Sequence, residues 1–292
     1  MEYPKLFFLH IPKTAGTTFV DTLASFYPNE LRANYIEGLD HDQRLRLGNR
    51  SFISGHLFFE EIRRLPFAAE FSQILLLREP YARLASHLRF MDRYATPAFK
   101  ADYELMLPHL KDVVNRISEV DFECSESLGE FFSDLSPWSR LAFDNSQVRF
   151  LVDDPGPHFA SRALNAEVLG NAIQRLSAFD YIGTTENIDV FVGQIASAFG
   201  FGSNYQVMQS NVATAGRRIN YLDPRIRYVM HDFVKYDCRL YDEALTRQNA
   251  RNSALRDSRS LLSRGTRPFI DICTGLAKTA YRYCTGIAKT TR

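Results

Sequence analysis

The sequence predicts an α/β fold with a mainly parallel central sheet flanked by helices, and three repeats of one local pattern predict it. Leu6–Ile11 is an apolar run too short for a helix, and from Thr17 the apolar positions Phe19, Val20, Leu23, Ala24 and Phe26 recur at helical spacing. Ile74–Leu77 is the strongest buried-strand signal; it stops at Arg78-Glu79-Pro80, where Pro80 suits a first helical position and Ala82, Leu84, Ala85, Leu88 and Met91 continue the helix. The third copy runs from Phe179 to Glu186 and leads into a helical stretch from Ile188 to Phe199. Strands alternating with helices bury both faces of a parallel sheet. With 292 residues, 45% of them hydrophobic and 24% charged, the chain has core enough for one large domain.

In chain order, Pro12 ends the first strand and the turn Lys13-Thr14-Ala15-Gly16-Thr17-Thr18 opens the first helix. A strand, a tight turn and a helix N-terminus make an anion site. Amides of the first helical turn point outward, the macrodipole adds partial positive charge, and Gly16 admits close backbone approach. Lys13 adds a full charge, and the hydroxyls of Thr14, Thr17 and Thr18 add donors. The ATPase form of such a loop, G-x-x-x-x-G-K-[ST], is absent, because Lys13 precedes Gly16.

Leu31–Ile36 is expected as a second strand and Asp40–Leu47 as a short polar helix. Ser51–His56 reads as a strand ending in a glycine turn, which puts His56 at a carboxyl-terminal strand end, the edge where ligands bind in open α/β sheets. A histidine there is either a general base or a structural residue. His10, inside an apolar run, reads as packed or hydrogen-bonded. Arg78 at the end of its strand and Ser86 in the second turn of the next helix suit a phosphate dianion. Residues 95–136 alternate helical patterns with polar turns, and Trp138, the lone tryptophan, either stacks on an apolar sugar face or, as expected of a single tryptophan, packs in the core. A helix is expected from Pro224 to Leu245.

The first turn resembles the 5′-phosphosulfate loop of the sulfotransferases that use 3′-phosphoadenosine 5′-phosphosulfate (PAPS). Within them it is most similar to His-Ile-x-Lys-Thr-Gly-Gly-Thr-Thr-Phe of the heparan sulfate 6-O-sulfotransferases, with Ala15 in place of the first glycine. Leu77-Arg78-Glu79-Pro80 followed by Ser86 resembles the family's Leu-Arg-Asp-Pro and helix serine, which hold the 3′-phosphate. Asn145-Ser146-Gln147-Val148-Arg149 resembles Asn-x-Gln-Val-Arg; these side chains either orient a polar acceptor or form a buried structural network. Phe179–Glu186 is similar to Phe-x-Gly-Leu-Thr-Glu. Asn211–Gly216 is similar to Asn-Ser-Thr-Arg-Ala-Gly with Thr214 where the family has Arg, so that Arg217 and Arg218 are the available substitutes.

The resemblance implies a P-loop-like sulfotransferase fold and transfer of a sulfuryl group from PAPS, without a metal, to a hydroxyl of a glycan or glycolipid. It implies Lys13 and His56 as catalytic residues. Lys13, Thr14, Ala15, Gly16, Thr17, Thr18, Arg78, Ser86 and Thr214 would bind the cofactor, and Asn145, Gln147 and Arg149 the acceptor. The alternatives are an ATP-dependent phosphoryl transferase and a catalytically idle, membrane-attached nucleotide-binding protein.

A net charge of +1 gives no bulk reason for a nucleic-acid partner, but the charge is uneven. From Arg247 onward ten Lys or Arg stand against two acids, so the preceding body is acidic. The domain is expected over residues 1–246, a linker over 247–265 and a basic amphipathic tail over 266–292. In the tail Cys273-Thr274-Gly275-Leu276-Ala277-Lys278-Thr279 recurs as Cys284-Thr285-Gly286-Ile287-Ala288-Lys289-Thr290, a spacing that keeps both copies on one helical face and suits either an anionic membrane surface or packing on a partner. The four cysteines make no C-x-x-C pair. No signal peptide or apolar span of 18 residues is seen, and a cytoplasmic protein is expected.

Overall fold

The computed structural model describes residues 3–152, 163–202, 207 and 217–262. Its centre is a five-stranded, all-parallel sheet of β1 (Leu6–Leu9), β2 (Arg32–Ala33), β3 (Phe52–Gly55), β4 (Ser72–Leu77) and β5 (Tyr181–Thr184), in the order β2-β3-β1-β4-β5. The α/β expectation is met, and its helices follow the strands as the periodicity indicates. They are α1 (Gly16–Ala24), α2 (His41–Leu45), α3 (Phe59–Arg63), α4 (Pro80–Arg93), α5 (Lys100–Glu104), α6 (Pro108–Ile117), α7 (Ser125–Ser133), α8 (Pro137–Leu141), α9 (Ser146–Val152), α10 (Ala166–Arg175), α11 (Ile188–Phe199), α12 (Pro224–Met230) and α13 (Lys235–Leu262).

All four residues of β1 are fully buried because neighbouring strands cover both edges and side chains cover both faces. On one face Leu6, Phe8, Phe52, Ile74 and Leu76 pack against Phe19, Val20 and Leu23 of α1 and Phe191, Val192 and Ile195 of α11. Each such side chain is worth about 1.5–3 kcal/mol on burial. The alternate residues Phe7, Leu9, Ile53, Leu75 and Leu77 are equally buried on the other face, where the Phe7 ring meets Phe71 edge-on at 6.2 Å. A second core, centred on Leu84, Leu88, Val114, Leu128, Phe132, Phe143 and Met230, joins α4 to α6, α7 and α12.

The pairing register fixes where the strands end. Leu9 lies opposite Gly55 on one side and Leu75 on the other, and Leu77 lies opposite Thr184. The segments leaving β1, β3, β4 and β5 therefore emerge together at one edge.

Three expectations are corrected. The second strand is two residues long, because Asn29–Leu31 form a 3-10 turn before it and Tyr35, at φ 58°, turns the chain after it. The Pro224–Leu245 helix is broken at His231–Val234, where Asn145 takes up the freed backbone: its N–H donates to the Phe233 carbonyl (2.7 Å) and its side-chain amide to the Asp232 carbonyl (3.0 Å). Residues 247–262, within the stretch expected as linker, are helical and continue α13. Trp138 is 49% exposed, since the five-residue α8 turns Ser139 inward instead.

By compactness the chain divides into Met1–Ala244 and Leu245–Arg292. The second unit is described only along α13, and the repeat in residues 273–290 lies outside the described residues. Among the described residues no helix is long and apolar enough to cross a membrane.

Candidate active site

The turn after β1 is wound by two left-handed residues that are not glycine, Lys13 (φ 71°) and Ala15 (φ 61°). Ala15 is the residue before α1, and no side chain caps that helix; the first turn closes through Phe19 N–H to the Ala15 carbonyl at 3.1 Å. The positive end of the α1 dipole therefore faces the loop. Two distant residues hold the loop in this shape. Arg78 Nη1 donates to the Lys13 carbonyl at 3.1 Å, and the Thr185 hydroxyl donates to the Thr14 carbonyl at 2.8 Å. Gly16 is required by His10, whose ring would lie 1.9 Å from a Cβ at that position.

Thr14 departs from its expected role. Its hydroxyl is fully buried and donates to the Ile11 carbonyl at 2.9 Å, as an enclosed hydroxyl must find an internal partner. Thr17 stays half-buried at the mouth of the loop and is hydrogen-bonded to the Tyr35 side chain, while Thr18 is buried.

Around this loop the chain gathers positive charge. Lys13 Nζ sits 4.2 Å from the centroid of the Phe90 ring, and burial together with Arg93, Arg78, Arg83 and Arg89 pushes its pKa down to about 8. Among the described residues no carboxylate pairs with Lys13, Arg89 or Arg93. Arg93 instead lies over the rings of Phe90 (4.8 Å) and Phe99 (4.6 Å). Arg89 and Arg93 are the site residues that sequence reading missed. They stand three and seven residues beyond Ser86, the spacing of one helical face, and Ser86 itself is half-buried. Arg78 is buried enough to lower its pKa, although Glu186, Tyr221 and Glu79 act against that.

Arg78 is fixed from behind by a residue of the Asn-Ser-Gln segment. Gln147 accepts the Arg78 N–H at 2.9 Å and donates to the Arg78 carbonyl at 3.0 Å. Asp237 in turn receives the N–H groups of Gln147 (3.2 Å) and Val148 (2.8 Å) at the start of α9, and Asn145 Oδ1 accepts from Tyr236 (2.8 Å) and Asp237 (3.1 Å). Arg149 is ion-paired with Asp144. Asn145, Gln147 and Arg149 are all buried, so of the two roles open to them the structural network is the one their contacts describe. The same network holds an enclosed ion pair, Arg83 with Asp237 at 3.9 Å, both 0% exposed. Burial drives the Arg83 pKa down and the Asp237 pKa up, each opposed by the other's charge.

His56 emerges from β3 on the opposite side of the β1 loop and is about 30% exposed. Its Nδ1 lies 2.5 Å from the His10 carbonyl, which can only accept, so Nδ1 carries the proton of the neutral ring and Nε2 keeps the lone pair. The His10 ring packs against it with centroids 4.0 Å apart. Burial, His56 and Lys13 together hold the His10 pKa well below 6.5, so His10 stays neutral beside it. The structure thus brings Lys13–Thr18, His56, Arg78 and Ser86 to one sheet edge or to the helix leaving it.

Thr214 lies outside the described residues. Of its two substitutes, Arg217 is committed elsewhere, binding Asp92 and the carbonyls of Ile117 and Val120, whereas Arg218 is exposed. A scan against protein-family models and a search of curated proteins return no match for this chain.

Proposed function

We propose that this protein is a sulfotransferase that moves the sulfuryl group of PAPS to a hydroxyl of an acceptor, a glycan or glycolipid. The observation that carries the reading is the pairing at one sheet edge of a cationic, backbone-wound loop with a histidine whose lone pair is free to accept a proton. The residues fit a donor that is anionic at both ends, since Lys13 and the N-terminus of α1 form one cationic end and Arg78 with Ser86 and Arg89 the other. When bound, PAPS supplies an activated sulfuryl group and a bisphosphate leaving group.

Lys13 and the α1 amides stabilise negative charge growing at the 5′ side, where a preorganised donor is typically worth about 10²–10³ in rate. Arg78, locked by Gln147, orients the far end so that the acceptor meets the sulfur in line. His56 removes the acceptor's hydroxyl proton at Nε2 while its Nδ1–H stays on the His10 carbonyl. Attachment to a membrane through residues 266–292 belongs to the same proposal and rests on their sequence alone.

The test is calorimetric titration with adenosine 3′,5′-bisphosphate beside ATP with magnesium. Binding of the bisphosphate, lost in Arg78→Ala and kept in His56→Ala, is expected, with turnover of a model acceptor falling about 10²–10⁴-fold in His56→Ala. Binding of ATP with magnesium alone overturns the reading in favour of phosphoryl chemistry. Bisphosphate binding with no turnover on any acceptor leaves an idle nucleotide-binding protein.

A further inference from the structure

Glu37 lies nineteen positions before His56, on a 3-10 turn (Ile36–Gly38) that follows the short β2, and nothing in the local sequence singles it out. Its two carboxylate oxygens nevertheless address the same histidine. Oε2 accepts the His56 backbone N–H at 3.0 Å, and Oε1 lies 4.0 Å from His56 Nε2, the ring nitrogen that holds the lone pair.

Three separate features aim this carboxylate. Arg44 clamps the turn from outside, donating from Nε to the Ile36 carbonyl (3.2 Å) and from Nη2 to the Glu37 carbonyl (2.9 Å). The remaining Arg44 nitrogen, Nη1, pairs with Glu61 (2.9 Å), whose other oxygen accepts the Phe58 N–H (2.9 Å), so the clamp is tied to the chain just beyond His56. Gly55 clears the approach, for a Cβ there would stand 3.0 Å from Glu37 Oε2 and 2.8 Å from the Ile36 side chain.

We infer that Glu37 is a positioning residue for His56: it fixes the histidine's backbone with one oxygen and, with the other, stabilises the imidazolium formed when Nε2 takes a proton. The inference rests on the sulfotransfer reading for its catalytic meaning. In that reaction the acceptor's O–H bond breaks, its proton moves to Nε2, and the freed electron pair forms the new S–O bond as the bridging S–O bond breaks toward the leaving bisphosphate. The positive charge left on His56 then faces Glu37. The other charged or titratable groups acting here are the neutral His10 against the ring, Tyr35 beyond it with Asp21, Lys13 and His87 from the far side, and the mutually paired Arg44 and Glu61. Glu37 is the carboxylate directed at Nε2.

Glu37→Gln separates the two parts of the role, because an amide oxygen still accepts the His56 N–H but carries no charge. The direct readout is the pH titration of the His56 ring protons by NMR in the unliganded protein. The midpoint is expected to fall in Glu37→Gln, which removes the carboxylate charge facing Nε2 and keeps the contact to the His56 backbone. The same measurement on the native protein at rising salt should move the midpoint in the same direction by less, which needs no variant. With an acceptor in hand, the acid limb of kcat should shift equally while the KM for PAPS stays constant. Identical midpoints in native and Glu37→Gln protein, and no salt dependence, overturn the inference. Failure of the bisphosphate to bind overturns the sulfotransfer reading alone, since the ring titration reports the Glu37–His56 coupling with no ligand present.

Discussion

Two clusters of charge meet at Arg78, and they are built on opposite principles. Behind it, Arg83 and Asp237 are sealed from solvent, and Asn145, Gln147 and Asp237 exchange hydrogen bonds with backbone and with one another. In front of it, Lys13, Arg89 and Arg93 have no carboxylate partner among the described residues, and Lys13 and Arg93 lie over aromatic rings. Internal pairing identifies the first cluster as structure. In the second, Lys13 is held partly buried among like charges at a cost that an incoming anion would offset, and this supports the binding site proposed above. Gln147 joins the two, carrying the rigidity of the closed cluster to the residue that lines the open one.

The largest effect should come from opening the closed cluster. Asp237→Ala leaves the buried Arg83 uncompensated and strips two amides at the start of α9, so a stability loss of about 3–5 kcal/mol is expected in urea unfolding. A loss below about 1 kcal/mol would show that the pair contributes nothing specific and would erase the contrast. On the open side, Lys13→Ala should lower turnover about 10²–10³-fold and weaken bisphosphate binding, while leaving the melting temperature unchanged or raised. Unfolding of that variant would mean that Lys13 belongs to the structural class.

Proton linkage sharpens the comparison. The Lys13 pKa in the free protein is lowered to about 8, so the charged form is disfavoured by folding below pH 8, and that penalty fades as pH rises from about 8 toward 10.5. An anion favours the charged form. Bisphosphate affinity should therefore fall by up to about tenfold per pH unit above pH 8, with proton uptake on binding, as seen in calorimetry in buffers of different ionisation enthalpy. An affinity flat from pH 7 to 10 would remove Lys13 from the anion's reach. The smallest effect belongs to Ala15→Gly. Relief of a left-handed alanine is worth about 1–2 kcal/mol and is partly offset by about 0.4–1 kcal/mol of added freedom in the unfolded chain, so a gain of up to about 1.5 kcal/mol is expected in thermal or urea unfolding.

What the sequence discloses and what it hides follow the same division. The strand and helix pattern was readable wherever burial is continuous, and α11 begins and ends where the apolar period does, at Ile188 and Phe199. Lys13, His56 and Arg78 were readable because each stands at the end of an apolar run, and such ends gather at one edge of a parallel sheet. Arg89 and Arg93 were within reach through their spacing from Ser86. The Arg83–Asp237 pair was not, for an arginine in the second turn of a helix reads as solvated and its partner lies far along the chain. Glu37 was hidden for a related reason, because its partner lies across two strands and only the β2–β3 register brings them together. The short second strand shows the opposite failure. Apolar content at Leu31–Ile36 promised pairing that the left-handed Tyr35 cuts off.

The anchoring of the first loop also sets an order of events in time. Lys13 and Thr14 leave the ribosome early, yet their carbonyls are held by Arg78 and Thr185, 65 and 171 residues later. A nascent chain shorter than about these lengths contains every residue of the turn and its local bonds from Thr14 to Ile11 and from Phe19 to Ala15, but neither long-range fastening, while left-handed Lys13 and Ala15 cost energy locally. The fastenings from Arg78 and Thr185 close only when β4 and β5 have docked, so the first turn to be synthesised is among the last to be fully anchored.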